Sequence, residues 1–396
     1  MRTQKNYKDF LDEAENIIPK ERIYTDELRR LAWGTDAGFY RLIPQVILRP
    51  KSEEEVSKLM ALSNKYQLPV TFRAAGTSLS GQAISDSILM VAGKNWENYK
   101  ISSDHQEITL QPGIIGQRVN EILKPYGRIF SPDPASVKSA MVGGIIMNNA
   151  SGMNCGTHAN SDKVLKSVRM VFADGTTLDT GSKESRDNFT QSHPEFIKGI
   201  EKLRDKVTAD SQLAERIRYK YSIKNVTGLN IRPLIAYDDP FDIIAHLLVG
   251  SEGTLAFASE FTMATGYDYP YKASGMLYFS DIKEACRAVV KMKKIANEKG
   301  EWIVKGAELL DEKSLSSVND PTGVGLTAVL TETMAVTKEE LDRNIQVITD
   351  ALQEFDTYIP IHFTDDPSEY SKYGAIRAGI FPAVVGTREL GTTCLI

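Results

Sequence analysis

The sequence predicts an α+β fold built from two successive mixed domains. Three observations support this prediction. Between residues 44 and 81, a strand, a helix and a second strand lead into a loop of glycine and hydroxyl residues. Between residues 131 and 175, small residues crowd a stretch with almost no charge, and after Pro270 a new series of strands and helices begins. Helices and strands that alternate in this way pack as the layers of mixed domains.

We divide the chain into an N-terminal helical segment over residues 1–40, a first domain over 41–269 and a second domain over 270–396. A chain of 396 residues holds two or three domains, because one domain takes about 100–200 residues. The net charge of −5 argues against nucleic acid as the main partner, since binding to phosphates requires a basic surface.

Targeting and redox signals are absent from the sequence. The N-terminus is charged and no apolar run approaches the ~18 residues of a membrane span, so we expect a cytoplasmic protein that meets a membrane only through a partner. The cysteines Cys155, Cys286 and Cys394 have the spacing of neither a disulfide framework nor a thiolate cluster. We therefore expect no metal and no iron–sulfur centre held by this chain.

The first 81 residues predict a helix followed by an α/β unit. Residues 7–33 place mixed charges on one face and apolar side chains on the other, which indicates a helix. The segment QVILRP predicts a strand, and Ser52 with Glu55 forms a capping box that opens the next helix. The strand PVTFRA then leads into a loop over residues 75–81. A loop at the carboxyl end of a strand is a common ligand site.

The middle of the chain centres on residues 131–175, SPDPASVKSAMVGGIIMNNASGMNCGTHANSDKVLKSVRMVFADG. Glycine lets a backbone approach a ligand closely, so this stretch is either a cradle for a large hydrogen-bonding ligand or a site of tight helix–sheet packing. A hairpin over 168–179 with a type I′ turn at Asp174 and Gly175 follows. Residues 182–245 are polar and helical, with YSIKNVTGLNIRPLIAYDD as an irregular insertion.

The last third of the chain predicts a small sheet covered by two helices. The segments GMLYF, EWIVKGAELL and GLTAVLTETM indicate strands, while Asp281 and Thr337 are each followed three residues later by a glutamate and open helices. The chain stops within the apolar hexamer GTTCLI. We therefore expect it to be the front part of a longer protein, with an incomplete second domain.

Several familiar motifs fail. Residues 323–328 match GxGxxA but precede a strand instead of a helix, and GTSLSG lacks the spacing of a nucleophile elbow. The five histidines are scattered, with no HExxH or HxH pair. We expect Cys286 to lie in the core, whereas Cys155, inside the small-residue stretch, either packs or contacts the ligand.

Four motifs in order now indicate a family. The strand PVTFRA with AAGTSLSGQ, then SPDPASVKSAMVGGIIMNNASGMNCGT, then FADG and then VGSEGTLAF resemble the FAD-binding domain of the vanillyl-alcohol oxidase and p-cresol methylhydroxylase (PCMH) type flavoproteins. The subgroup that the chain resembles is the D-lactate, glycolate and 2-hydroxyglutarate dehydrogenases. The resemblance covers about residues 35–265 and implies a PCMH-type domain of two subdomains, followed by a ferredoxin-like α/β cap.

The resemblance also implies which residues hold FAD. The loop from Arg73 through Ala74, Ala75, Gly76, Thr77, Ser78, Leu79 and Ser80 to Gly81 would wrap the pyrophosphate with N–H and hydroxyl donors. The flavin and ribityl chain would lie along Pro134, Gly143, Gly144, Asn148, Asn149, Ser151, Gly152, Gly156 and Thr157, with Glu252 and Gly253 near the adenine side. Ala256 replaces the family's last glycine in this turn. Relatives that tether flavin often use a histidine in the first loop; RAAGTS has none, so we expect noncovalent FAD.

The second domain resembles the family's cap through KGAELLDEKSL and YGAIRAGIFPAVVG. By this resemblance Arg377 would bind the substrate carboxylate in a bidentate fork; the alternative is a surface ion pair with Glu369 or Asp366. The implied reaction is oxidation of a D-2-hydroxy acid by hydride transfer to flavin N5. No base can be named, and His362 is a candidate by residue type only.

Two other functions stay open. One is a flavin oxidase of an alcohol or sugar. The other is a FAD-binding module or subunit of a larger iron–sulfur dehydrogenase without independent activity. In the dehydrogenase reading, the partners are a small 2-hydroxy acid and an electron acceptor or iron–sulfur domain.

Overall fold

The structure is a computed structural model that describes residues 4–156, 158–318, 320, 322, 325–387, 389 and 392. The chain forms two compact units. We call Met1–Ser151 with Thr157–Gly266 the N-terminal unit, and Gly152–Gly156 with Tyr267–Ile396 the C-terminal unit. The small-residue stretch is therefore divided between the two units. The predicted domain boundaries stay predictions.

The front of the N-terminal unit is a four-stranded sheet with three helices. Its elements are α1 (Gln4–Ala14), β1 (Ile23–Tyr24), α2 (Glu27–Ala32), β2 (Val46–Leu48), α3 (Glu53–Lys65), β3 (Val70–Arg73) and β4 (Ile88–Val91). In the strand order β1–β2–β4–β3, the last three strands are parallel and β1 is antiparallel to β2. The side chain of Ser52 accepts a hydrogen bond from the N–H of Glu55 at 3.3 Å, which confirms the predicted cap of α3.

The rest of the N-terminal unit is a five-stranded antiparallel sheet packed against helices. Its elements are β5 (Tyr99–Ile101), β6 (Glu107–Leu110), α4 (Gly116–Leu123), β7 (Arg128–Ile129), α5 (Val142–Met147), α6 (Ser161–Val164), β8 (Leu165–Val171), β9 (Thr177–Asp179), α7 (Lys183–Ser192), α8 (Pro194–Ala209), α9 (Ser211–Lys220), α10 (Pro233–Ala236), α11 (Pro240–Leu248) and β10 (Phe257–Ala264). The strand order is β5–β6–β10–β8–β9. The core buries Ile108, Val119, Ile146, Leu248 and Phe261.

The C-terminal unit is a three-stranded antiparallel sheet with helices on both faces. After β11 (Gly266–Tyr267), its elements are β12 (Tyr271–Phe279), α12 (Ile282–Met292), β13 (Gly306–Leu310), α13 (Glu312–Ser317), β14 (Thr327–Ala335), α14 (Lys338–Leu352) and α15 (Pro367–Thr387). The strand order is β12–β14–β13. Helices α12 and α14 cover one face of the sheet, as predicted, and α13 and α15 pack on the other. The caps at Asp281 and Thr337 are confirmed.

The predicted continuous helix over residues 7–33 is wrong. Helix α1 ends at Ala14, and α2 begins only at Glu27. Pro19 cannot donate a backbone hydrogen bond to a helix. Asp26 starts a new helix instead, because its carboxylate accepts the N–H of Arg29 at 3.0 Å.

The hairpin of β8 and β9 forms as predicted, but its turn is not type I′. Of the two predicted turn residues, only Gly175 has a positive φ, at 89°, whereas a type I′ turn needs two such residues. The N–H of Phe172 donates to the carbonyl of Thr176 at 2.8 Å, which closes a three-residue loop.

Three further expectations can be compared with the structure. The strand predicted in EWIVKGAELL begins only at Gly306.

Cys286 is exposed, so its predicted place in the core is wrong. It lies on the amphipathic α12, outside the buried stripe of Ala285, Ala288 and Met292. Among the described residues, no helix combines the length and apolarity that crossing a bilayer requires.

Candidate functional site

The N-terminal unit contains a cavity where β3, α5 and β10 come together. It encloses about 940 Å³ of empty space, a volume that includes the solvent at its open mouth. One wall is apolar: the rings of Phe72 and Phe257 meet edge to face with centroids 5.3 Å apart, and Phe261, Ala92 and Ala256 complete this wall. A wall of this kind can hold a flat heterocycle.

A second wall is the loop that follows β3, which brings backbone N–H groups to the cavity. Residues 74–78 line the cavity. Within the described residues, none of the N–H groups of residues 75–79 donates a hydrogen bond to the protein. Gly76 has a φ of 75°, a left-handed conformation that glycine adopts without the strain of a Cβ. Consecutive free amides form an anion-binding concavity.

Arg73 lies beneath this loop. Its Nη1 donates to the carbonyls of Thr35 at 2.6 Å and of Ala83 at 3.2 Å. Its Nε is buried and has no acceptor among the described residues. Burial lowers the pKa of the Arg73 guanidinium, and the nearby Asp36 opposes this shift. The guanidinium leaves no room for a Cβ at Gly76, so the positive charge lies directly against the loop's backbone.

Helix α5 brings two glycines to the cavity for different reasons. The N–H of Gly143 donates to the carbonyl of Pro112 at 2.9 Å, and a Cβ at Gly143 would lie 2.7 Å from Cβ of Pro112. A Cβ at Gly144 would meet no protein atom within 4 Å, although Gly144 lines the cavity. Gly143 is therefore required for packing, whereas Gly144 leaves open space for a ligand.

The third wall is a turn over residues 250–253. The N–H groups of Gly250 and Glu252 both donate to the carbonyl of Met147, each at 2.9 Å. Gly250, Glu252 and Gly253 have φ values of 90°, 56° and 76°. The last two line the cavity, so the carboxyl end of α5 holds the turn against the site.

One side chain links the loop to α5. Oε1 of Gln82 accepts hydrogen bonds from Asn148 Nδ2 at 2.9 Å and from Ser78 Oγ at 3.0 Å. The sequence did not single out Gln82, although it directly follows the loop.

The cavity brings together most of the residues that the resemblance implied, and their roles stay predictions. Those lining it are Arg73, Ala74, Ala75, Gly76, Thr77, Ser78, Pro134, Gly143, Gly144, Asn148, Glu252 and Gly253. Those described but not lining it are Leu79, Ser80, Gly81, Asn149 and Ser151. Gly152 and Gly156 belong to the C-terminal unit, and Thr157 lies outside the described residues.

Sequence reasoning missed the apolar wall. Phe72, Pro112, Met141, Phe257 and Phe261 all line the cavity. Phe72 lies in the strand before the loop and Phe257 begins the strand after the turn. The signal was therefore present, because aromatic residues adjoin both predicted ligand segments.

Charged groups in the C-terminal unit pair with one another. The Nε of Arg377, on α15, donates to the carboxylate of Glu308 on β13, so its partner is neither Glu369 nor Asp366. His362 is exposed, and its Nε2 lies 3.5 Å from a carboxylate oxygen of Glu369.

Cys155 is buried, and its sulfur accepts a hydrogen bond from the N–H of Gly152 at 3.1 Å. In the described part of the chain, no group of three or more His, Cys, Asp or Glu residues is arranged to hold a metal ion.

Comparison with known proteins identifies the class of the site. Residues 44–181 match the family described as FAD binding domain. This range contains the loop after β3 and helix α5, and the match supports FAD as the cofactor.

The relatives narrow the comparison further. The chain is 27% identical to D-2-hydroxyglutarate dehydrogenase of Haemophilus influenzae over 64% of its own length and 25% of that protein. It is 24% identical to glycolate oxidase subunit GlcD of Escherichia coli, covering 93% of this chain and 64% of that one. It is 23% identical to the mitochondrial D-lactate dehydrogenase [cytochrome] of Arabidopsis thaliana, covering 81% and 47%. The chain thus spans between a quarter and two thirds of these relatives.

Solved structures show the same fold. p-Cresol methylhydroxylase with substrate bound superposes with a TM-score of 0.68 at 11% identity, covering 96% of this chain and 72% of that one. Alkyldihydroxyacetonephosphate synthase superposes with a TM-score of 0.65 at 15% identity, covering 96% and 64%. The predicted α+β fold and the resemblance to PCMH-type flavoproteins are confirmed.

Proposed function

We propose that the N-terminal unit binds FAD noncovalently in its cavity and that the protein containing this chain oxidises a D-2-hydroxy acid of the D-lactate, glycolate or 2-hydroxyglutarate type. The proposal depends above all on one observation: residues 75–78, whose N–H groups donate no hydrogen bond within the described residues, line a cavity with an aromatic wall. A dinucleotide that carries a pyrophosphate and a flat ring system matches both features.

The fit of FAD can be stated residue by residue. The amides after β3, with Arg73 beneath them, would bind the pyrophosphate. The open space at Gly144 and the wall of Phe72 and Phe257 would take the flavin. Noncovalent binding is supported by the described lining residues, which include no His, Cys or Tyr.

The chemistry divides between the cofactor and the chain. FAD, when bound, supplies the acceptor for the hydride that leaves Cα of the hydroxy acid. The hydroxyl proton of the substrate passes to a base, and the product is a 2-oxo acid. The residues of this chain bind and orient the reactants. Arg377 would bind the substrate carboxylate by leaving Glu308. His362 stays a candidate base by residue type.

A second candidate function is a FAD-binding module or subunit that needs further protein for turnover. It is favoured by the share of the relatives that the chain covers, 25% and 64% for the two bacterial proteins named above. One of them is itself called a subunit of glycolate oxidase. In this reading, the chain would hold FAD beside an electron acceptor or iron–sulfur partner, and it would meet a membrane only through such a partner.

The visible spectrum tests both candidates. The purified protein is reconstituted with FAD, FMN or riboflavin, and D-lactate, D-2-hydroxyglutarate and glycolate are then added without oxygen. Selective retention of FAD, its release on denaturation and bleaching by one acid are expected. Retention without bleaching would favour the module. No flavin absorbance after reconstitution would overturn the proposal.

A further inference from the structure

A buried polar cluster lies beside the turn over residues 250–253, outside the cavity. We call it the Asn230 cluster and define it as Asn149, Asn160, Asp162, Asn230 and Arg232. All five belong to the N-terminal unit. None of them lines the cavity.

An ion pair anchors the cluster. Nε of Arg232 lies 3.2 Å from Oδ2 of Asp162, and the two side chains are 17% and 2% exposed. A pair this deeply buried is held only where the geometry is well defined, because each charge has lost its water. The pair joins α6, which lies within the small-residue stretch, to the segment 221–239, which the sequence predicted to be an irregular insertion.

Asn149 lies at the other side of the cluster. It has a φ of 49°, and its Oδ1 accepts hydrogen bonds from the N–H of Asp162 at 3.1 Å and from Asn160 Nδ2 at 3.4 Å. Its side chain is therefore occupied by the protein, just after the end of α5.

Asn230 completes the contact with the turn. Its Oδ1 accepts the N–H of Arg232 at 3.2 Å. A Cβ at Gly250 would lie 3.5 Å from Cβ of Asn230 and 3.6 Å from Cβ of Asn149. The backbone of Gly250 thus rests between two asparagine side chains, while its N–H is held by Met147.

The segment around Asn230 has an unusual burial pattern. Ile223, Val226 and Leu229 are 58%, 42% and 50% exposed, whereas Asn230 is 3% exposed. Hydrophobic packing would bury the apolar side chains and expose the amide. In addition, Nδ2 of Asn230 has no acceptor among the described residues, and a buried polar group without a partner calls for an explanation.

We propose that Asn230, held by the Asp162–Arg232 pair, is a positioning residue that fixes the turn over residues 250–253 at the cofactor cavity. This inference rests on the proposed binding of FAD. Glu252 and Gly253 line the cavity only while Gly250 keeps its left-handed conformation against the cluster. The irregular segment is thereby assigned a role in cofactor binding without touching the cofactor.

The test uses the full chain with Asn230→Ala. We expect an FAD dissociation constant raised about tenfold, or ~1.4 kcal/mol, together with an altered visible circular dichroism of the bound flavin. Without FAD, hydrogen exchange at the amides of Gly250 and Glu252 is expected to quicken. The matched control is Asn225→Ala in the same segment, where the asparagine accepts the N–H of Thr227 at 3.4 Å away from the turn.

A conservative variant separates positioning from folding. Asn230→Asp keeps the acceptor for Arg232 N–H and is expected to retain slow exchange at the turn, even if Asn230→Ala does not fold. Fast exchange at the turn in Asn230→Asp, or unchanged affinity, dichroism and exchange in Asn230→Ala, would overturn the inference alone. A parent protein that binds no FAD would overturn the proposed function and this inference together.

Discussion

The candidate ligand-binding groups of the two units differ in whether the protein already pairs them. In the N-terminal unit, residues 75–78 line a cavity, and their N–H groups have no acceptor within the described residues. In the C-terminal unit, the candidate substrate-binding residue Arg377 already pairs with Glu308, and Asn154 Nδ2 donates to a carboxylate oxygen of Glu332 at 2.8 Å. The first site is ready for a ligand, whereas the second must exchange a partner to bind one.

This difference determines which substitutions should impair each site. A site built from backbone amides does not depend on side-chain identity, except where a new Cβ would enter the cavity or where the charge beneath the loop is lost. A site built from paired side chains depends on the identity of both members of the pair, because removing one leaves the other without its partner. The predictions below test this contrast.

The largest effect is expected for Gly144→Leu. Its side chain would project into the open space of the cavity, so the affinity for FAD is expected to fall by about 100-fold or more, at least ~2.7 kcal/mol. Stability without FAD should not fall, because leucine favours a helix over glycine by up to ~1 kcal/mol. FAD titration by fluorescence and thermal unfolding of the FAD-free protein measure the two quantities.

The neighbouring Gly143→Ala is the matched control. Its Cβ would lie 2.7 Å from Pro112, so it should destabilise the FAD-free protein by ~1–3 kcal/mol, the usual range for overpacking. If Gly144→Leu binds FAD as tightly as the parent, the cavity is not the flavin site.

A smaller effect is expected for Arg73→Gln. The variant removes the positive charge beneath the loop, so FAD affinity should fall by roughly 10- to 50-fold, in line with ~1.5–3 kcal/mol for a hydrogen bond to a charged group. Any binding of riboflavin, which lacks phosphate, should change much less. Arg73→Lys, which keeps the charge, should retain more affinity than Arg73→Gln. Equal losses for FAD and riboflavin would show that Arg73 acts only on the fold of the loop.

The sequence predicted the secondary-structure elements around the cavity better than the side chains that meet in its apolar wall. The capped α3, the loop after β3 and the hairpin of β8 and β9 depend on local signals such as Ser52 or Gly175, which short-range chemistry determines. Aromatic residues adjoin both predicted ligand segments, but the contact between Phe72 and Phe257 could not be predicted, because they lie far apart in the chain and meet only through the packing of two sheets.

Side-chain partners were the least predictable part of the site. Arg377 was expected to bind either substrate or the nearby Glu369 or Asp366, yet it pairs with Glu308, 69 residues away. The ion pair of Asp162 and Arg232 likewise joins residues that are 70 positions apart in the chain. Such pairs are set by tertiary structure, and sequence spacing carries no information about them.

Two single variants, Arg377→Lys and Glu308→Gln, test the proposed substrate site of the C-terminal unit. Losing the bidentate fork should raise the KM for the hydroxy acid about tenfold, ~1.4 kcal/mol, while FAD affinity stays unchanged. Glu308→Gln removes a competing carboxylate and should leave KM equal or lower. Steady-state kinetics of the protein that contains this chain measures both. A raised KM in Glu308→Gln would mean that the ion pair shapes the site and does not compete with substrate.

The smallest effect concerns His246, a buried histidine of the N-terminal unit. His246 is buried, stacks on Tyr237 with ring centroids 4.2 Å apart, and its pKa is lowered chiefly by burial. The unfolded chain therefore binds the proton more readily, since an unperturbed histidine has a pKa of about 6.5. The contribution of His246 to the free energy of unfolding should be fully present above that pH. It should be lost as the pH falls below it, by at most ~1.4 kcal/mol per pH unit.

Urea unfolding of the FAD-free protein between pH 7.5 and 5.5 measures this slope. His246→Gln should flatten it relative to the parent, whatever its effect on absolute stability, because glutamine does not titrate. If the variant gives the same slope as the parent, the buried imidazole beside the Asn230 cluster does not take up its proton on unfolding.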